Sequence, residues 1–157
     1  MYNIIDAYLS YYEGVLIMYK KILIPTDGSE FAKKAQKHAF FIAKVSGAEI
    51  IAVSVTENDF VYDLQLDDEV ALLNQVLKER SEENLKEFDK FNEDNVKVTH
   101  VIREGSPAKV ILEVAKEENV DLIVMGSSGK SGFDKFIMGS VADKVVNSAK
   151  CAVLVVH

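Results

Sequence analysis

The sequence predicts an α/β fold: an open, doubly wound, five-stranded parallel sheet with helices on both faces. Three observations carry this. From Lys20 onward, short β-branched runs alternate with longer segments of helical periodicity, the signature of βαβ units. The strand-like run EIIAVSV, residues 49–55, is near-continuously apolar instead of alternating, as expected where helices cover both faces of a sheet. No internal repeat or domain break interrupts the pattern, and 157 residues suit one domain with one core.

The first strand is KKILIPT, residues 20–26, and its apolar run stops at Pro25, which cannot donate a ladder hydrogen bond. A helix follows at once. Ser29 is its N-cap with Glu30 in the first turn, Ala32, Ala35, Ala39, Ile42 and Ala43 recur at three- and four-residue spacing, and Gly47 closes it. The second strand is EIIAVSV, residues 49–55, followed by a loop over 57–66. Residues 67–94 are charged and free of Gly and Pro, with Val70, Leu73, Leu77, Leu85, Phe88 and Phe91 forming an interrupted stripe. One long helix is expected there, with the run ERSEENLKE as its solvated face. VKVTHVIR, residues 96–103, is the third strand; Gly105 turns the chain, Ser106 caps and Pro107 opens a helix to about Glu118. DLIVMG (121–126) is the fourth strand, a glycine-rich loop and a helix over 141–148 follow, and CAVLVV (151–156) is the fifth.

Composition narrows the function. Apolar residues at 48% and charged residues at 27%, with eight Gly and two Pro, exclude a disordered tail or linker. A formal charge of −7 with no Lys/Arg-rich run argues against nucleic acid as a partner. The single cysteine, Cys151, makes no internal disulfide and forms no zinc-spaced cluster with His38, His100 or His157, so a reducing, cytoplasmic setting is expected. The opening MYNIIDAYLSYYEGVLI lacks a basic n-region, and Asp6 and Glu13 interrupt its apolar runs, so it reads as neither signal peptide nor membrane span. Two readings of residues 1–17 stand. Ile5, Tyr8, Leu9 and Tyr12 fall at helical spacing and suit a short amphipathic helix that docks on the domain or on a second subunit. Alternatively Met18 is the true start, since MYKKILIPTD is a natural opening for a domain spanning residues 18–157.

Doubly wound sheets bind ligands outside the carboxyl ends of their strands, where the winding reverses. With strand one central and strand four beside it, that point receives Pro25-Thr26-Asp27 and the segment GSSGKSGFDKFIMGS, residues 126–140. Glycines 126, 129, 132 and 139 with Ser127, Ser128, Ser131 and Ser140 supply exposed N–H groups and hydroxyls that end at a helix start, which suits phosphate oxygens. Lys130 and Lys135 add positive charge. A P-loop is excluded, because the glycine it needs five residues before Gly129 is Val124. The dinucleotide fingerprint fails too, since PTDGSE follows the first strand.

What the loop does contain is G-x2-G-x9-G-S: Gly126, Gly129, Gly139 and Ser140. With PTDGSE after strand one, VMGSSGKSG after strand four, GSVADKV opening the last helix and CAVLVV at the end, residues 18–157 resemble the universal stress protein family, specifically its ATP-binding branch. The resemblance implies an adenine-nucleotide alpha-hydrolase-like fold, its sheet in the order 3-2-1-4-5, with ATP in the switch-point crevice. It sets Pro25, Thr26 and Asp27 on the adenosine side, with Asp27 near the ribose and metal-phosphate region, and Val55 against adenine. It sets Met125 and Gly126 at the ribose, and Ser127, Gly129, Lys130, Ser131, Gly139, Ser140 and Val141 around the phosphates. Mg²⁺ would be held largely by phosphate and water. Ser127-Ser128 stands where many members have Ser-His or Thr-Arg, which removes a basic or imidazole group from the loop. Ala152 stands where a proline often precedes the final strand; the family commonly dimerises by pairing last strands, and a non-proline there leaves an extra N–H.

His38 reads as a packed or half-exposed helix residue and Cys151 as a small buried hydrophobe. No catalytic residue, nucleophile set or carboxylate pair is assigned. Asp27 is the one acid taken as functional, the alternative being an Asx turn at the helix start. The resulting expectation is a homodimer that binds ATP and signals to a protein partner as a nucleotide-dependent switch. The alternatives are a slow ATPase or phosphotransferase, in which Asp27 orients a metal or water and Ser140 accepts phosphate, and a structural dimer with a vestigial pocket.

Overall fold

A computed structural model of the chain describes residues 19–57, 67–128 and 138–157. Its strands are β1 (Lys21–Pro25), β2 (Glu49–Thr56), β3 (Val98–Glu104), β4 (Leu122–Gly126) and β5 (Ala152–Val156). They pair parallel, as the alternating pattern predicts, in the order β3-β2-β1-β4-β5 that the resemblance implies. The helices among the described residues are α1 (Glu30–Ser46), α2 (Asp67–Asp89), α3 (Pro107–Glu117) and α4 (Ser140–Ser148). The expected helix within residues 1–17 lies outside the described residues.

The apolar strands resolve into two faces because successive side chains point to opposite sides of a sheet. Ile22, Ile24, Ile50, Ala52, Leu122 and Val124 meet α1 and α2, where Ala35, Ala39, Phe40, Ala43, Leu85 and Phe88 complete one core layer. Leu23, Ile51, Val53, Ile123 and Met125 face the other way, onto Val110, Ile111 and Val114 of α3 and Ala142 and Val145 of α4. Burial on both faces accounts for the near-continuous apolar runs. The alanine stripe of α1 lets that helix lie close to β4 and β1, and the tilted pair Phe40–Phe88, with ring centroids 5.0 Å apart, joins it to α2.

Local chemistry fixes the boundaries. Ser29 Oγ accepts from Ala32 N at 3.2 Å to start α1, and Gly47, at φ 69°, ends it with its N–H on Ala43 O. At the amino edge, Asp121 Oδ2 accepts from Lys20 N at 2.8 Å and Lys21 N at 2.9 Å, tying the start of β1 to β4. On the same edge the Lys97 ammonium, 2.6 Å away, holds the Glu49 carboxyl below the usual carboxylate range.

The third crossover departs from the sequence reading. α2 ends at Asp89, not at residue 94, and β3 begins at Val98, not at residue 96. Lys90, Phe91 and Asn92 donate their N–H groups to carbonyls three residues back, which tightens and stops the helix. Asn92 then clamps the turn, its Oδ1 accepting from Val96 N and its Nδ2 donating to Val96 O, both at 2.8 Å. β2 continues through Thr56, and α4 begins at Ser140.

The carboxyl end of β4 meets the first turn of α1 at near-contact distance. A Cβ on Gly126 would stand 2.8 Å from the backbone carbon of Phe31 and 3.0 Å from Ala32 N. This position needs glycine for packing, whatever binds beside it.

Phe88→Ala removes a fully buried ring from the layer shared by α1 and α2 and is expected to lower stability by about 3–5 kcal/mol. A urea titration should show a reduced midpoint with an unchanged slope. Gly126→Ala pushes a methyl onto backbone that cannot rotate away and is expected to cost about 1–3 kcal/mol in the same assay.

Candidate functional site

β1 brings Pro25 to the carboxyl edge of the sheet, opposite Val53 of β2. The last rung falls one residue later, where Thr26 N donates to Val53 O at 2.8 Å. Thr26 is buried, and its Oγ1 accepts from Nε2 of the equally buried Gln36 on α1 at 2.9 Å. Asp27 turns the chain into α1, its Oδ1 accepting from Ser29 N at 2.9 Å. This is the Asx turn weighed from the sequence, and Asp27 lines the crevice as well.

Between the carboxyl ends of β1, β2 and β4 lies a cavity of about 660 Å³. That is within the size range of small-molecule sites, about 300–1,000 Å³. Pro25, Thr26, Asp27, Val55, Met125, Gly126, Ser127, Gly139, Ser140 and Val141 all line it. Gly129, Lys130 and Ser131, with Gly132 and Lys135, lie outside the described residues.

The ends of the glycine-rich loop are pinned together at this cavity. Ser127 N donates to Val156 O at 2.8 Å, continuing the β4–β5 pairing, and Ser127 O accepts from Gly139 N at 2.7 Å. A Cβ on Gly139 would sit 3.2 Å from Ser127 O. The first turn of α4 is thereby held against the cavity wall.

Its electrostatics favour an anion at that end. A helix start leaves N–H groups without intrahelical partners and carries partial positive charge. Ser29 caps α1, but Gly139 at the N-cap of α4 offers no side-chain cap, and Ser106 at the N-cap of α3 makes no cap hydrogen bond. Pro107, first residue of α3 and itself without an N–H, also lines the cavity. Among the described lining residues the charged side chains are Asp27, Glu57 and Arg80.

Arg80 belongs to a wall that the sequence reading missed. Leu77, Arg80, Ser81 and Asn84 of α2 line the cavity, so ERSEENLKE is not uniformly a solvated face. Glu79, Glu83, Lys86 and Glu87 are exposed, whereas Ser81 and Leu85 are buried. The available signal was the helical spacing of Leu77, Ser81 and Asn84, three uncharged residues on one face of a charged run. Thr56, Glu57 and Ile111 are further lining residues that no motif marked.

The remaining candidates stand apart. His38 and His157 are exposed, and His100 places Nε2 2.9 Å from Asp89 Oδ1, with none of the three on the cavity. Cys151 is half-buried before β5, and burial pushes its thiol up from the ordinary range. Among the described residues, no group of three or more His, Cys, Asp or Glu is placed to hold a metal ion, and no helix is long and apolar enough to cross a membrane.

The same architecture occurs in known proteins. Universal stress protein MJ0531 of Methanocaldococcus jannaschii is 43% identical over 140 residues, covering 88% of this chain and 82% of its own. The structure of MJ0577 from the same organism superimposes with a TM-score of 0.79 at 34% identity, covering 89% and 96% of the two chains. At lower identity the fold recurs in a universal stress protein solved in complex with cAMP (24%, TM-score 0.58; 88% and 97% covered) and in one from Archaeoglobus fulgidus solved with dAMP (19%, 0.65; 89% and 99%). Residues 18–157 also match the sequence model of the universal stress protein family from end to end. With the sheet order, the pinned glycine loop and these likenesses in agreement, the chain belongs to the universal stress protein family.

Proposed function

We propose that this protein binds ATP with Mg²⁺ in the switch-point crevice and acts in the cytoplasm as a homodimeric, nucleotide-dependent regulatory switch. The observation that carries the reading is the mixed chemistry of one cavity. Val55, Ile111 and Met125 offer an apolar surface suited to a purine, while Ser127, Ser128, Ser140 and the uncapped start of α4 offer donors suited to phosphate oxygens. Lys130 of GSSGKSG, adjoining the described part of this loop in sequence, adds a cation. That proteins of the same fold have been solved with cAMP and dAMP supports an adenine nucleotide as the ligand class.

The residues present fit a magnesium-bound nucleotide. Mg²⁺ takes phosphate oxygens and water with one or two carboxylates, and Asp27 contributes a carboxylate to the cavity that holds the phosphate donors. When bound, the ion would offset phosphate charge, and Asp27 would hold it or its waters. Pro25 and Thr26 would border the adenosine, Gly126 the ribose, and Gly129, Ser131, Gly139 and Val141 the phosphates.

Dimerisation through the last strand is supported by β5 lying at the edge of the sheet among the described residues, with Ala152 exposed, an edge that a second copy can extend.

Calorimetry should show saturable binding of MgATP, with a light-scattering mass of twice the chain. A hydrogen bond to a charged group is worth about 1.5–3 kcal/mol, so Ser140→Ala is expected to weaken binding by about ten- to a hundredfold. Absence of binding heat, or the same affinity in Ser140→Ala and Lys130→Ala as in the parent, would overturn the assignment. ADP accumulating above buffer background and abolished in Asp27→Ala would replace the switch by an ATPase.

A further inference from the structure

One residue breaks the apolar face that α1 turns to the sheet. Ala32, Ala35, Gln36, Ala39, Phe40 and Ala43 are its buried residues, and Gln36, 1% exposed, is the polar one among them. Its Nε2 donates to Thr26 Oγ1 at 2.9 Å, while its Oε1 is buried and has no hydrogen-bond partner among the described residues. Burying an acceptor without a donor is unfavourable, and leucine would fill similar space without that penalty. The amide is thus a poor choice for packing alone, which points to a use beyond it.

A hydroxyl oxygen has two lone pairs and one proton. Thr26 Oγ1 accepts from Gln36 Nε2 at 2.9 Å and, more weakly, from Gly28 N at 3.4 Å, so both lone pairs are engaged by the protein. The Thr26 N–H is held on Val53 O at 2.8 Å, which fixes the residue at the last rung of the sheet. Thr26 lines the cavity and Gln36 does not, and among the described residues no group accepts from the Thr26 hydroxyl. We infer that Gln36 is a positioning residue: it holds the Thr26 hydroxyl with its proton directed into the cavity, where Thr26 donates to a bound ligand. A site of this polarity takes an acceptor atom, such as a ribose oxygen or a ring nitrogen of a nucleoside, and cannot accept from a donor at that position. The inference rests on the nucleotide reading of the cavity for the identity of the ligand.

A double-mutant cycle read by calorimetry with MgATP, with a urea titration of each protein, tests it. A neutral hydrogen bond is worth about two- to tenfold in affinity. Thr26→Val, which keeps the shape and removes the hydroxyl, should weaken binding within that range. Gln36→Leu should weaken it at least about threefold in the parent but less than about 1.5-fold in the Thr26→Val background, because the amide acts through the hydroxyl. A packing role would lower affinity by the same factor in both backgrounds, and that result would overturn the proposal. So would a Thr26→Val protein that binds as tightly as the parent, an outcome that leaves the nucleotide site standing. A parent that binds no MgATP at millimolar concentration would remove the site reading and this inference together. Where Gln36→Leu gives no cooperative urea transition, Gln36→Met takes its place in the cycle.

Discussion

A parallel sheet covered by helices on both faces leaves its polar chemistry one place to go, the strand ends. Here β1, β2 and β4 are buried almost throughout, with Ile22, Leu23, Ile24, Ala52, Val53, Ile123 and Val124 nearly excluded from solvent. β1 pairs with β2 from Lys21 to Pro25 but with β4 only at Ile22 and Leu23. The ladder stops where the chain leaves the first and fourth strands for opposite faces, and there the N–H groups, hydroxyls and the carboxylates of Asp27 and Glu57 collect. The crevice follows from the topology before any side chain is chosen for a ligand.

Glycine chemistry then sets its depth. Gly126 lets α1 come within van der Waals reach of the end of β4, and the hydrogen bond from Gly139 N to Ser127 O folds the start of α4 back over the same edge. A side chain at either position would push a helix away and open the cavity. The glycines at these two positions thus belong to the packing as much as to the proposed phosphate cradle. The hydrogen bond from Gln36 Nε2 to Thr26 Oγ1 ties the opposite wall to α1 through buried polar groups.

The central strands β1, β2 and β4 were legible in the sequence because two-sided burial writes a continuous apolar run, the strand order through the family resemblance, and the helix starts because Ser29, Ser106-Pro107 and Gly139-Ser140 are strong local signals. The ends of α2 and β3 were not. They depend on Asn92 gripping Val96 across a turn, a side-chain contact that no periodicity encodes. The candidate site was readable where it is contiguous in sequence, in PTD and in GSSGKSG…GS. The α2 wall escaped because Arg80, Ser81 and Asn84 join the cavity only through the docking of a charged helix onto β2, and their spacing is shared with any half-buried helix face. Asp27 illustrates a different limit: turn former and cavity-lining acid were posed as alternatives, and the fold lets one carboxylate serve in both places.

The central claim is that the crevice formed by these strand ends and the start of α4 is where this universal stress protein takes its nucleotide. Hydrogen exchange with and without MgATP tests it most directly, since it reports binding and location together. The account predicts slowed exchange at residues 26–28 and 138–142, and little change along β3 and its edge. A saturable ligand whose footprint falls elsewhere, or no change at these residues at millimolar MgATP, would contradict it.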